Sequence, residues 1–254
     1  LRVRLAKDAG IALMPVVMGP RTSRAAPSGA FTFAGRPSVE AVRSIVLGAP
    51  FRGASKLAER IDVYLATDYR IPRLRGTPVC ATIFDAIPLS HPEWANPRMR
   101  RAKNWVLRHS IQWADRVLAI SQAMVPEIVE HYGISQDRIA VTPLGVGDEW
   151  FIAESPVRIR EVRERHGVAP GYFLSVGTLQ PRKTIARVVE AYVGLPLAIR
   201  EEHQLVVAGK VGWSAASTVE LLRRHASSGV RWLERIPDDE LRSLYQGATA
   251  FVFP

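Results

Sequence analysis

The sequence has one cysteine, no long apolar run, no internal repeat and few lysines. A single thiol, Cys80, excludes a disulfide framework. It lies in the apolar stretch Thr77-Pro78-Val79-Cys80-Ala81-Thr82-Ile83-Phe84, which reads as a buried strand, so the thiol is read as structural. The longest apolar run, Ile11 to Met18, is broken by Pro15 and falls short of the ~18–20 residues a bilayer span needs. No secretory pattern follows Leu1. No Gly-x-Gly-x-x-Gly follows a strand, which argues against a dinucleotide enzyme such as an epimerase. His91, His109, His131, His166, His203 and His225 show no metal-ligand spacing, so no metal site is expected.

What is present is a core. The 254 residues are 47% hydrophobic and 23% charged, which excludes a disordered chain. At ~150 residues per domain, one large domain or two small ones fit. The net charge is +10, and 29 of the 34 basic residues are arginine. Residues 1–75 hold 13 basic against 5 acidic side chains, so the excess is concentrated at the front. Arg21, Arg24, Arg36, Arg43, Arg52, Arg70, Arg73 and Arg75 fall in or near loop-like stretches there. Such a surface attracts phosphate, in a polynucleotide, a lipid headgroup or a pyrophosphate-linked substrate. No nucleic-acid module is recognisable, so nucleic acid is not expected. Trp94, Trp105 and Trp113, taken with the basic front, leave peripheral membrane contact as one expectation.

Apolar runs alternate with helical patterns along the whole chain. Strands are predicted at Ile11–Met18, Val63–Ala66, Val79–Phe84, Val117–Ile120 and Ile139–Pro143. Helices are predicted at Asn96–Ala114, opened by Asn96-Pro97, and from a Ser121 cap to Tyr132, stopped by Gly133. Residues 22–38 read as a loop. Near residue 154 a second alternation starts with a helix at Val157–His166, opened by Pro156 and ended by Gly167. Strands at Tyr172–Val176, Leu205–Ala208, Val230–Leu233 and Ala250–Phe253 follow, with helices at Thr184–Val193, Ala216–His225 and Asp238–Ala248. Two such runs predict two doubly wound α/β domains, 1–153 and 154–254, the second incomplete. Leu1–Asp8 reads as mid-helix and the last strand stops abruptly at Pro254, so the chain is expected to continue at both ends.

The stretch that carries chemistry is Gly177-Thr178-Leu179-Gln180-Pro181-Arg182-Lys183. A strand enters it and a helix leaves it. Gly177 permits close backbone approach, the helix start offers N–H groups and a positive dipole, and Arg182 and Lys183 add two full charges. Two cations oppose the dipole at a helix start, so an anionic ligand explains the placement better than a solvated surface does.

This run resembles the donor loop of retaining glycosyltransferases of family 4 (group 1), which have the GT-B fold and include bacterial mannosyltransferases. Gly209-Lys210-Val211-Gly212-Trp213 is similar to that family's next turn, and Val230–Leu233 with Asp238–Tyr245 to its next strand and helix. Earlier, Asp85-Ala86-Ile87-Pro88 with His91-Pro92-Glu93, Ala114-Asp115…Ser121 and Pro143-Leu144-Gly145-Val146 resemble family segments in the family's order. Phe84 stands where the family usually has His, Thr184 where Asn is common and Glu234 where Gly is common. The family's Glu-x7-Glu-like motif would begin beyond Pro254, so these 254 residues alone are expected to transfer little or no sugar.

The resemblance implies two Rossmann-like domains and metal-independent, retaining transfer of a hexose, mannose first. The donor would be a nucleotide sugar, GDP-mannose before a UDP- or ADP-sugar, and the acceptor a glycan or lipid-linked glycan. It implies no cofactor and a place in the cytoplasm or at the inner face of a bacterial membrane. Gly177, Thr178, Arg182 and Lys183 would bind the donor, and Asp85 would act on the acceptor hydroxyl. The alternatives are a binding module without transfer and another sugar-nucleotide enzyme.

Overall fold

The computed structural model describes residues 10–19, 28–33, 35–94 and 100–254. The helix read at Leu1–Asp8 and the Asn96-Pro97 cap lie outside them. The chain divides into two compact units, Leu1–Leu144 and Gly145–Pro254.

In the first unit β1 (Val16–Met18) pairs in parallel with β2 (Phe31–Phe33). A second parallel sheet runs in the order β3 (Tyr64–Ala66), β4 (Val79–Ile83), β5 (Arg116–Ala119), β6 (Ile139–Val141). Helices bury its apolar residues, and Ala81, Ile83, Val117, Ala119, Leu57 and Ile128 are fully enclosed. Cys80 lies in β4 as expected, but is half-buried and not enclosed. Phe31, Phe33, Phe51 and Trp113 form a chain of edge-to-face contacts at 5.3, 5.8 and 6.0 Å. Trp113 is thus a packing residue and not a surface anchor.

Several local expectations change. Residues 22–38 are not all loop: Phe31–Phe33 is a strand, because its three residues find partners in β1. A helix at Pro37–Leu47, opened by proline and closed by Gly48 at φ 64°, follows at once. The helix expected from Ser121 starts at Met124, since Ser121 offers its carbonyl, not its hydroxyl, to the Met124 N–H at 3.1 Å. Gly133 ends that helix as expected, at φ 66°. The long helix before β5 is described at Arg100–Ser110 and tightens to a 3₁₀ turn at Ile111–Trp113. The valine-rich helix Pro37–Leu47 packs beside it.

The second unit is a four-stranded parallel sheet in the order β10-β7-β8-β9, with β7 at Phe173–Val176, β8 at Leu205–Ala208, β9 at Val230–Leu233 and β10 at Ala250–Phe251. The chain builds outward from β7 to β9, then crosses back to set β10 on the other side of β7. That reversal makes the gap between β7 and β10 a topological switch point, and such sheets bind ligands outside the carboxyl ends of the strands there.

Residues 145–154 pack on the helix Asp238–Gly247. Trp150 meets Tyr245 edge-on at 5.7 Å, and Gln246 Nε2 donates to the Ile152 carbonyl at 2.8 Å. The same helix is tied to helix Pro156–His166 by Glu240, which is buried and accepts from Arg165 and from His166 Nε2 at 2.6 Å. The His166 hydrogen bond, with Arg165 beside it, holds the Glu240 carboxyl below the usual carboxylate range against the opposing effect of burial. A lowered native pKa means the carboxylate stabilises the fold above its unfolded value of about 4.3, and that contribution is lost as the pH falls through the native value. Glu240→Gln is expected to cost about 2 kcal/mol at neutral pH, the range of a hydrogen bond to a charged group. Denaturant titration checks it, and the gap from the parent protein should narrow under acid.

Among the described residues, no helix is long and apolar enough to cross a membrane.

Candidate functional site: the carboxyl end of β7

Gly177 follows β7 directly, and its N–H donates to the Ala208 carbonyl at 2.9 Å. Beyond it, the Leu179 N–H donates to the Lys210 carbonyl at 2.9 Å and the Gly212 N–H to the Leu179 carbonyl at 2.8 Å. The β7–β8 pairing therefore continues as a double loop, bridged at Leu179 and Val211. Two glycines make this approach possible for lack of space. A Cβ on Gly209 would lie 1.9 Å from the Gly177 carbonyl oxygen, and one on Gly212 would lie 2.4 Å from that of Leu179.

Pro181–Lys183 forms a 3₁₀ turn, and helix Ile185–Val193 starts two residues after Arg182–Lys183 opens into Thr184. The first N–H groups of that helix have no partner within it. Arg182 is exposed and Lys183 half-buried. Neither has a carboxylate within ion-pair distance among the described residues. Lys183 extends its stem over Gly177 and places Nζ 4.3 Å from the ring centre of Phe253, just past β10. The cation therefore spans the switch point from β7 to β10. Burial, aided by repulsion from Arg182, lowers the Lys183 pKa. Two cations that repel each other, with no carboxylate in ion-pair distance among the described residues, stand beside a positive helix end, an arrangement that favours an anion.

Thr184 joins the turn to the helix at φ 44°. A β-branched residue in the left-handed region is strained, whereas Asn tolerates it. This is a physical reason for an Asn at this position. Thr184→Asn is expected to stabilise the second unit by about 0.5–1 kcal/mol, measured as a raised denaturation midpoint.

Asp85 belongs to the first unit, in the loop after β4. Its Oδ1 accepts from Tyr69 Oη at 3.1 Å and from the Ile87 N–H at 3.2 Å, which begins the short helix Ile87–Ser90. Its carbonyl accepts from Tyr69 at 2.9 Å and from Tyr132 at 3.3 Å. Burial, then the negative charge of Asp85, pushes both phenols up, so they remain donors. The carboxyl is oriented, and Oδ2 has no hydrogen bond among the described residues. Sequence reasoning missed Tyr69 and Tyr132, which lie 16 and 47 residues from Asp85 and carry no local signal.

Two cavities, of about 280 and 630 Å³, open elsewhere in the second unit, around Arg223 and Trp232 beside β9. Neither is lined by Gly177, Thr178, Arg182 or Lys183. Among the described residues no cluster of His, Cys, Asp or Glu could hold a metal.

The solved structures that align with these parallel α/β units are glycosyltransferases, and the fold they share with this chain is GT-B. Solved structures align with it at low sequence identity. WaaG, a glycosyltransferase involved in lipopolysaccharide biosynthesis, gives a TM-score of 0.59 at 16% identity, over 80% of this chain and 56% of its own. Anabaena Alr3699/HepE in complex with UDP-glucose gives 0.58 at 15% identity, over 88% and 59%.

Residues 16–150 match Glycosyltransferase Family 4, and residues 159–254 match Glycosyl transferases group 1. The chain belongs to glycosyltransferase family 4. O-antigen chain mannosyltransferase B of Escherichia coli is 30% identical over 208 residues, 81% of this chain and 54% of its own length. Serotype-specific mannosyltransferase WbdA of Escherichia coli is 31% identical over 147 residues, 56% of this chain and 18% of its own. The chain thus spans about half the length of the first relative and less than a fifth of the second.

Proposed function

We propose that this chain is the acceptor-side unit and part of the donor unit of a hexosyltransferase. It would move mannose from a nucleotide sugar, GDP-mannose before UDP- or ADP-sugars, to a glycan or lipid-linked acceptor of a bacterial surface polysaccharide. The observation that carries the reading is the uncompensated pair Arg182 and Lys183 at the β7–β10 switch point. The activities of the similar Escherichia coli mannosyltransferases support mannose and an O-antigen-type acceptor.

In the proposed reaction the bond between the sugar's anomeric carbon and the diphosphate breaks, and the electron pair leaves with the phosphate oxygen. Arg182 and Lys183 stabilise that charge, with Gly177 and Thr178 lining the phosphates, so no metal is needed. The acceptor hydroxyl oxygen forms the new bond on the retained face, and its proton passes to the oriented Asp85. The chemistry would take place on the cytoplasmic side, where nucleotide sugars are made.

A second reading, nucleotide-sugar binding without transfer, is favoured by Phe84 at a position where the family usually has His. Titration calorimetry with GDP-mannose, UDP-glucose, GDP and UDP, with and without a chelator, tests the first step. Binding that survives the chelator, tightest for GDP-mannose, is the expected result. No binding of any of the four would overturn both readings. Sugar transfer by a chain extended to the relatives' length would decide between them.

A further inference from the structure

His91-Pro92-Glu93 takes no part in the proposed reaction, yet the fold builds it into a fixed aromatic surface. Asp85 Oδ1 accepts from the Ile87 N–H and so opens helix Ile87–Ser90, and the His91 N–H donates back to the Ile87 carbonyl at 2.9 Å. A 3₁₀ turn follows at Pro92–Trp94, closed by the Trp94 N–H on the His91 carbonyl at 2.9 Å. That turn lays the Trp94 ring on the His91 imidazole, with ring centres 4.0 Å apart and planes 19° from parallel. Helix Arg100–Ser110 braces the segment. Asn104 Nδ2 donates to the Pro88 carbonyl at 2.6 Å, and Arg100 donates to the Pro92 carbonyl at 2.7 Å.

The stacked pair is not core. Trp94 is 40% exposed, and His91 and Glu93 are exposed beside it. Glu93 Oε1 lies 3.2 Å from His91 Nδ1, and a carboxylate only accepts, so it assigns the proton to that nitrogen. His91 Nε2 and Glu93 Oε2 have no hydrogen-bond partner among the described residues. The surface therefore joins an aromatic face, an imidazole nitrogen and a carboxylate oxygen, all held in place before any ligand arrives. A hexose ring is two-sided in the matching way. Its C–H face stacks on an aromatic ring, and its hydroxyls donate to nitrogen and oxygen acceptors. A phosphate or a uronic acid would meet the Glu93 carboxylate as a like charge.

We infer that His91, Glu93 and Trp94 form a subsite for an uncharged hexose of the acceptor glycan, one sugar unit removed from the hydroxyl at Asp85. Ile87, whose N–H Asp85 holds, and His91 are one helical turn apart, about 5–6 Å along the axis. One sugar unit of a glycan spans a comparable length. The subsite deepens the acceptor side of the proposed function and rests on that reading. It also gives the first unit a means of preferring a growing glycan to a single sugar, since only the former reaches both Asp85 and Trp94.

Amide and indole chemical-shift mapping with no donor present tests it. Added α-linked mannotriose is expected to move the Trp94 indole N–H and the amides of Ile87, His91 and Glu93 most, and to bind more tightly than methyl α-mannoside. A glucuronic acid oligosaccharide should leave them unmoved. Trp94→Ala should weaken mannotriose binding about five- to ten-fold, and Trp94→Phe, which keeps a ring, by roughly two-fold. GDP affinity and the amide shifts of β3 to β6 should be unchanged in both variants, which separates loss of the platform from loss of the fold. No response to mannotriose, an equal response in Trp94→Ala, equal binding of the acidic saccharide, or Trp94 shifts produced by GDP would overturn the inference. GDP binding without a saccharide response would overturn this subsite alone. A saccharide response at Trp94 without GDP binding would support it and overturn the donor reading alone.

Discussion

Replacing Arg182 and Lys183 together by alanine is expected to lower the affinity for GDP or UDP by about 10²–10³-fold, with no loss of stability. A hydrogen bond to a charged group contributes about 1.5–3 kcal/mol, so two cations near the lower end of that range, about 3–4 kcal/mol together, account for that loss. The stability half of the prediction separates function from folding. Lys183 and Arg182 repel each other and stand at the positive end of helix Ile185–Val193. Arg182→Ala alone should therefore hold or slightly raise the melting temperature, as expected when a residue is kept for binding rather than for the fold. Lys183→Ala also gives up the contact with the Phe253 ring, so its gain should be smaller. Calorimetry and a thermal melt on the same samples check both halves.

Gly209→Ala is expected to cost more than about 3 kcal/mol and to disable the donor loop at the same time. The obstacle is the Gly177 carbonyl oxygen, 1.9 Å from the added Cβ. Backbone cannot rotate away as the end of a flexible side chain does, and overpacking already costs about 1–3 kcal/mol where side chains can yield. Relief requires parting the strands just where the Gly177 N–H meets the Ala208 carbonyl and the Leu179 N–H meets that of Lys210. That separation displaces the turn bearing Arg182 and Lys183. Gly133→Ala is the control. Its Cβ meets nothing within 4 Å and only the left-handed φ is lost, so about 1 kcal/mol is expected. Denaturant unfolding of the two variants, with GDP titration of whatever remains folded, measures the contrast.

The alternation of β/α units was legible because each buried strand is a short apolar run bounded by turn residues. Pro156 and Gly167, and Gly133, marked helix ends where the structure has them. Helix Pro37–Leu47 was illegible for a physical reason. Period-based reading assumes that the apolar stripe faces the core, and here the core side carries Glu40 and Ser44. Strand Phe31–Phe33 was hidden by its Ser-, Gly- and Pro-rich surroundings and exists through its pairing with β1. At the site, Arg182 and Lys183 were readable as charges out of place. The switch point was not, because it depends on which strand lies beside β7. The reasons for Gly209 and Gly212 were equally hidden, since their constraint is a neighbouring backbone and not their own φ.

The central claim is that the carboxyl end of β7 binds a nucleoside diphosphate. Amide chemical-shift mapping while GDP is added to the chain tests it most directly. The largest shifts are predicted at Gly177, Thr178, Lys183, Thr184 and the facing turn from Gly209 to Gly212, and they should vanish in the Arg182→Ala/Lys183→Ala protein. Shifts confined to the cavities around Arg223 and Trp232, or unchanged by removal of the two cations, would contradict the claim.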